Sequence, residues 1–318
     1  IIWCATNEGL TMITSEYMEY IPLATSYKMN EMRAMACDRQ DFIWYALENR
    51  LYRMSLRKPG RRSLEMTLPV AVTTLYVDIE GRLWIGTLGR GILYREENGS
   101  VTAVTDVPQL NNENGLSITG TDDRLWVSGL NGVEELSYPG QFTKKISLLQ
   151  RHNKRTGVGS DYVYQLCADR RGRVWMATDG AGVCLYDGGV YRHWDSSSGM
   201  NSNVIYSITQ DAEGDMWAAT LGNGLFRYDG NRWYQVSRDQ GLQDVNIATV
   251  AANGTGQVIV VNGKGVDVWY PKSLQFRNYN NRGSINIDST STVLNLSAVD
   301  NDGNVYIPFD KGFDVIKN

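Results

Sequence analysis

Histidine is nearly missing from this sequence: 318 residues contain only His152 and His193. Acyl transfer by a Ser-His-Asp or Cys-His group needs an imidazole base, so few positions could supply one. His193 stands in Tyr191-Arg192-His193-Trp194, which reads as the outer strand of a sheet. His152 opens the loop Arg151 to Asp161 and is kept as a binding candidate. Cysteine is scarce as well. Cys4, Cys37, Cys167 and Cys184 form no C-x-x-C pair and have no neighbouring histidine, which excludes ordinary zinc spacing. Three of them fall in apolar strand patterns and read as buried thiols. Cys167 and Cys184 share one repeat on strands separated by a third, roughly 9 to 10 Å apart, too far for a disulfide.

No window approaches the ~18 consecutive apolar residues of a membrane-spanning helix. No charge sign dominates either: 31 Lys plus Arg stand against 35 Asp plus Glu, a net charge of −4. Nothing draws the chain to nucleic acid or to an anionic membrane surface. The basic run Arg57-Lys58-Pro59-Gly60-Arg61-Arg62 has no interleaved aromatics and reads as a solvated loop. The opening Ile1-Ile2-Trp3-Cys4 lacks an initiator Met and the pattern of a signal peptide, so the expectation is a piece of a longer chain.

What is abundant is glycine, tyrosine and tryptophan, with 32, 18 and 9 copies against 7 prolines, a composition of short strands and tight turns. Self-similarity organises them. Leu83-Trp84-Ile85-Gly86-Thr87-Leu88-Gly89-Arg90-Gly91-Ile92, Val174-Trp175-Met176-Ala177-Thr178-Asp179-Gly180-Ala181-Gly182-Val183 and Met216-Trp217-Ala218-Ala219-Thr220-Leu221-Gly222-Asn223-Gly224-Leu225 are one motif. Weaker copies centre on Trp3, Trp44 and Trp126, and two degenerate ones put Ile259 and Tyr306 where the Trp belongs. Each unit holds an alternating strand such as Val204 to Asp211, a D-x-x-G turn, the Trp strand, a Gly-rich turn and two further strands. A single meander of this kind cannot bury both faces; a closed radial array does. The fold expected is an all-β propeller of four-stranded antiparallel blades over residues 1–318, with about eight repeats. The alternative is seven blades plus an extra terminal piece, because the first copy lacks a first strand and the last lacks a fourth.

At D-x-x-G-x-[LVM]-W-x-[AG]-T-x-G-x-G-[LIV], as in Asp78 to Ile92, Asp169 to Val183 and Asp211 to Leu225, the sequence resembles the two-component regulator propeller repeat. Tyr228-Asp229-Gly230 and Gly241-Leu242 also fit it. The resemblance implies a periplasmic sensor region, the extracytoplasmic part of an inner-membrane hybrid two-component protein. It implies an oligosaccharide breakdown product as ligand and no catalysis in this part. Propellers of the streptogramin-lyase type also repeat a Trp but need a catalytic His. The rival reading is a scaffold that docks another chain or a second copy of itself.

The turns leading out of the Trp strand, and the connections between blades, emerge around the axis. Once the repeat's own turn residues are subtracted, Arg90, Asn131, Asp179, Asn223, Lys264 and Lys311 remain as a varied polar set, taken as one structural position and as ligand-binding candidates. Arg155, Asp161 and Tyr162 join them from the long connection His152 to Tyr162; Asn278 to Ser291 is the other long connection. Asp300-Asn301-Asp302-Gly303 resembles a calcium loop but runs straight into a strand, so it reads as an ordinary turn. Gly180-Ala181-Gly182 and Gly222-Asn223-Gly224 open strands rather than helices and read as turns, not phosphate loops. No cofactor and no metal are expected.

Overall fold

In the computed structural model a tryptophan and an aspartate six residues before it set the geometry of four blades. Residues 2–6, 9–13, 18–22, 32–58, 61–96, 98–104, 113–121, 123–137, 146–279, 297–309 and 312–317 are described, those before 32 and residues 309 and 312 by backbone alone. The chain opens with β1 (Ile2–Thr6), β2 (Gly9–Ile13) and β3 (Met18–Pro22). Six complete meanders follow: β4 (Met32–Cys37), β5 (Phe42–Leu47), β6 (Arg50–Ser55), β7 (Arg62–Thr67); β8 (Val72–Val77), β9 (Leu83–Thr87), β10 (Ile92–Arg95), β11 (Val101–Ala103); β12 (Ser117–Gly120), β13 (Arg124–Gly129), β14 (Gly132–Ser137), β15 (Ser147–His152). The next three are β16 (Val163–Ala168), β17 (Val174–Thr178), β18 (Val183–Asp187), β19 (Val190–Trp194); β20 (Ser207–Gln210), β21 (Met216–Ala219), β22 (Leu225–Tyr228), β23 (Trp233–Val236); β24 (Ile247–Ala252), β25 (Val258–Asn262), β26 (Gly265–Tyr270), β27 (Gln275–Tyr279). The chain ends in β28 (Ala298–Val299), β29 (Val305–Phe309) and β30 (Gly312–Ile316).

These six meanders are blades 2 to 7. Blade 1 is composite: β28, β29 and β30 from the end of the chain take β3 from the beginning as their fourth strand, antiparallel, with Met18 opposite Ile316 and Pro22 opposite Gly312. The first strands touch in sequence around the axis, β28 to β4, β4 to β8, and on through β24 to β28, so the ring is closed. Eight copies of the motif thus make seven blades. The first copy loses its outer strand to the last, and β1 and β2 pair with each other as a separate two-stranded sheet. This is the seven-blade alternative; a ring of eight is not formed.

The core lies between blades rather than inside them. Seven apolar clusters occupy the seven junctions; Trp175, for example, packs with Ile208, Met216 and Phe226 of the next blade. Trp84, Trp175 and Trp217 are fully buried, as the repeat register requires. Each indole also has a fixed polar partner. Nε1 of Trp44, Trp84, Trp175 and Trp217 donates to Oδ2 of Asp38, Asp78, Asp169 and Asp211 at 2.7–2.9 Å. Oδ1 of the same carboxylate accepts backbone N–H groups of the turn, such as Arg171 and Arg173 onto Asp169. The D of D-x-x-G therefore caps the turn and anchors the Trp together.

The Gly-rich turns are clamps between blades. The N–H groups of Gly89 and Gly91 both donate to the carbonyl of Glu113, those of Gly180 and Gly182 to Asn203, and those of Gly222 and Gly224 to Val245. Gly182 sits at φ 70°, and a Cβ there would run into the carbonyl of Trp194, so no other residue fits. The motif's Thr closes the same turn: Oγ1 of Thr178 donates to the Gly182 carbonyl at 2.8 Å. These segments are turns, as expected, and Asp300 likewise caps its turn through Asp302 and Asn304. Cys167 on β16 and Cys184 on β18 are separated by β17, both thiols are free, and burial pushes each up to about 12. Replacing Trp175 with Ala should lower stability by ~3–5 kcal/mol in urea unfolding; a loss under ~1 kcal/mol would contradict its place between blades.

Candidate functional site

Each blade meets the axis through its first strand, and these strands carry the feature that shapes the mouth. A β-bulge falls between Met32 and Ala34, Val72 and Thr74, Val163 and Gln165, and Ile247 and Thr249. Arg33, Thr73, Tyr164 and Ala248 are the extra residues. A bulge turns one side chain out of the regular alternation without disturbing the rest of the strand. In blade 5 the released side chain is aromatic.

Tyr164 donates its hydroxyl to Oδ2 of Asp179 at 3.0 Å, and its ring lies 4.9 Å from that of Tyr206 on the neighbouring blade. Burial, then the hydrogen bond to the Asp179 carboxylate, push the Tyr164 hydroxyl up to about 12, so it stays a donor at any physiological pH. Asp179 is held from three sides. Its carbonyl accepts from Ser160 Oγ at 2.7 Å, its N–H donates to the Tyr162 carbonyl at 3.0 Å, and its backbone bridges to Val204. The Tyr162 N–H in turn donates to Ser160 Oγ. Asp161 ties the loop to blade 4: its carbonyl accepts the Gly132 N–H at 2.7 Å, and Oδ1 accepts the Lys154 N–H at 2.9 Å. The result is one hydrogen-bonded sector from the Asn131–Gly132 turn through Asp161, Tyr162 and Asp179 to Tyr164, whose ring packs on that of Tyr206. Tyr162 is 51% exposed there.

The sequence-derived candidates divide accordingly. Asn131, Asp161, Tyr162 and Asp179 come together. Arg155 is exposed in the same loop, its N–H bonded to Asn153 Oδ1. Arg90 and Lys264 are exposed in blades 3 and 7, neither of which adjoins blade 5. Asn223, in blade 6, spends its backbone on Thr220 and Gln235. Lys311 lies outside the described residues. These positions were expected to be equivalent, and they are not. Arg90 and Asn223 are the middle residues of the two-glycine clamps, where blade 5 has Ala181; Asp179 precedes its clamp, where the other blades have Leu88 and Leu221. Tyr164 and Tyr206 were missed: a period-two reading assigns both to a strand, cannot see the bulge at Tyr164, and takes in Tyr206 although β20 begins only at Ser207.

His152 is not a loop residue. It ends β15, fully buried, between blades 4 and 5, with Nδ1 2.6 Å from the Tyr191 hydroxyl and Nε2 3.1 Å from Glu135, which Arg124 also holds. Trp126 and Tyr186 pack on its ring. It faces no solvent and joins a buried network instead. Asn278 is likewise within β27, and residues 280–296 of that connection lie outside the described residues. Among the described residues no group of His, Cys, Asp and Glu has the arrangement of a metal site. Among them, too, no helix is long and apolar enough to cross a membrane.

Comparison with known proteins bears on the fold. The two component regulator propeller family matches residues 68–89, 157–180 and 199–222. No curated protein sequence matches the chain. Among solved structures, the extracellular domain of the putative hybrid two component system BT3049 from B. thetaiotaomicron superposes with a TM-score of 0.77 at 19% identity, over 92% of this chain and 39% of that one. The extracellular domain of BT4673 from the same organism gives 0.71 at 18%, over 99% and 44%. Virginiamycin B lyase from Staphylococcus aureus gives 0.73 at 11%, over 95% and 99%. At these identities the likeness is one of fold, and the chain spans about two fifths of the two extracellular domains.

Burial lowers the His152 pKa, opposed by its bond to Glu135. The unfolded imidazole, near ~6.5, therefore takes up its proton first. Stability should be level above that pH and fall as pH drops below ~6.5. In urea midpoints His152→Gln should flatten that slope; an unchanged slope would mean that His152 is not its source. The repeats and the closed ring together identify the chain as a seven-bladed β-propeller, three segments of which match the two component regulator propeller family.

Proposed function

We propose that this propeller is the non-catalytic, ligand-sensing part of a two-component signalling protein on the periplasmic side of the inner membrane, and that its axial face binds an oligosaccharide. The observation that carries the site is the Tyr164–Asp179–Tyr206 sector. A sugar ring offers an apolar face that stacks on aromatic rings and hydroxyls that donate to carboxylates, and Tyr162, Tyr164, Tyr206, Asp161 and Asp179 supply both. The repeat family and the extracellular two-component neighbours support the sensing role. The lyase neighbours share the fold, and one of them is described as inactivated by loss of a histidine. In this chain the two histidines are on outer strands, His152 buried and His193 bound to the Gly157 carbonyl at 2.7 Å, so no imidazole serves the axis.

A second reading, a scaffold that docks another chain or a second copy, is favoured by Leu88, Leu130 and Leu221, exposed at 55%, 43% and 47% on the same face. Ligand binding raises apparent stability by RT ln(1 + [L]/Kd), about 2.7 kcal/mol at a hundredfold excess. In a melting screen with oligosaccharides, a cognate sugar should raise the Tm. Tyr164→Ala and Asp179→Asn should abolish the shift, while Glu213→Gln on the opposite face leaves it intact. No shift with any sugar, together with a concentration-dependent dimer in light scattering that Leu221→Asp dissolves, would replace the sensing reading by the scaffold one.

A further inference from the structure

On the face opposite the axial sector, the turns that follow β4 and β8 border a cleft of about 730 Å³ between blades 2 and 3. Arg39, Arg53, Arg82 and Arg95 line it together with Trp44. Three carboxylates do so too, but Asp38 is fully committed: Oδ1 accepts the Gln40 and Phe42 N–H groups and Oδ2 the Trp44 indole. Glu80 and Glu96 are the other two.

Comparison between blades shows what is unusual here. Arg53 lies directly opposite Trp44, as Arg227 lies opposite Trp217 in blade 6. Arg227 pairs with Asp215 through Nε and Nη2 at 2.7 and 2.6 Å. Asp215 comes four residues after the turn aspartate; in blade 2 that place belongs to Phe42. Arg53 therefore stacks on the Phe42 ring at 3.6 Å, and its Nη2 reaches only Gln40 Oε1, at 3.3 Å. Arg95, from blade 3, flanks the Trp44 ring at 5.2 Å, with Arg53 at 5.1 Å. Its nearest paired carboxylate, Glu65, stands 3.8 Å away, beyond hydrogen-bond reach. The Nε atoms of Arg53 and Arg95 are buried with no hydrogen-bond partner among the described residues. Arg82, 4% exposed, is stacked near Trp84 and Tyr94 in the same wall.

A buried donor left without a partner calls for a missing acceptor. Guanidinium groups held against aromatic rings lose little freedom on binding, and their planar edges match oxyanions. We propose that this cleft is a second ligand site, selective for an oxyanion group (carboxylate, sulfate or phosphate) on a small molecule, with Arg53 and Arg95 as its direct donors. It is independent of the axial site: the two lie on opposite faces of the ring.

The test is calorimetry and thermal melting of the chain with inorganic sulfate, inorganic phosphate and glucuronate, at ionic strength held constant with chloride, and glucose as the neutral control. At least one oxyanion should bind and raise the Tm while glucose does not. Tetrahedral anions alone would mark a sulfate or phosphate site, and glucuronate alone a carboxylate site. Arg53→Gln and Arg95→Gln should each weaken binding by about tenfold or more, the size of a charged hydrogen bond. Glu80→Gln, which leaves the arginines in place, should bind at least as tightly as the unaltered chain, and Asp179→Asn should not matter. Absence of binding by all three anions, equal shifts in Arg95→Gln and the unaltered chain, or loss of binding in Glu80→Gln would overturn the proposal.

Discussion

The blade depends on a carboxylate that works in two directions. One oxygen of Asp38, Asp78, Asp169 or Asp211 closes the turn into the Trp strand; the other holds the indole that fills the junction with the next blade. Hairpin geometry and packing between blades are thereby fixed by one side chain, in a place where a loose indole N–H would cost free energy. The degenerate repeats obey the same logic. Where Tyr306 replaces Trp, its hydroxyl finds Asp300 Oδ2 at 2.8 Å. Where Ile259 replaces it, no indole needs an acceptor and the aspartate gives way to Asn253, which caps the turn through Thr255 and Gln257. Blade 4 has Gly120 in the aspartate's place, and the Trp126 indole N–H is buried without a hydrogen-bond partner among the described residues. That blade is instead locked by the His152–Glu135–Arg124 network at its next junction.

The opposite face is built differently. There the paired glycines of each clamp spend their N–H groups on the neighbouring blade's connection, and Val158, Met200 and Leu242 bury themselves to hold those connections down. The ring is thus stiff at its rim. Its closure joins the two ends of the chain through β3 and β30, so seven blades act as one body and the axial side chains keep their spacing. The four bulged blades differ at that position, where blade 5 presents Tyr164 and blades 2, 3 and 7 present Arg33, Thr73 and Ala248.

Much of this was legible in the residues. Period, turn chemistry and the Trp strand are local, and local patterns survive in a sequence: the Trp strand at Met216 and the two further strands expected after its Gly-rich turn are β21, β22 and β23. Blade number was not legible, since it turns on whether Met18–Pro22 pairs with its own repeat or with Gly312–Ile316 at the far end. The site was half legible. Asp179 was picked out as one of a varied polar set, though under a wrong alignment that equated it with Arg90 and Asn223, but Tyr164 looked like any strand aromatic because a bulge leaves no periodic trace. The four cleft arginines could not be grouped at all, because Arg53 and Arg95 meet over Trp44 only once two blades are packed.

The dual role of the turn aspartate is open to a double-mutant cycle at blade 6. Asp211→Ala removes cap and anchor together; Trp217→Phe keeps an aromatic ring and deletes only the indole donor. If the two groups act through their mutual hydrogen bond, each change alone should destabilise and the pair should lose less than the sum, with a coupling of ~1–2 kcal/mol from urea unfolding of all four proteins. Strict additivity would show that the turn and the junction are stabilised separately, and would contradict the account.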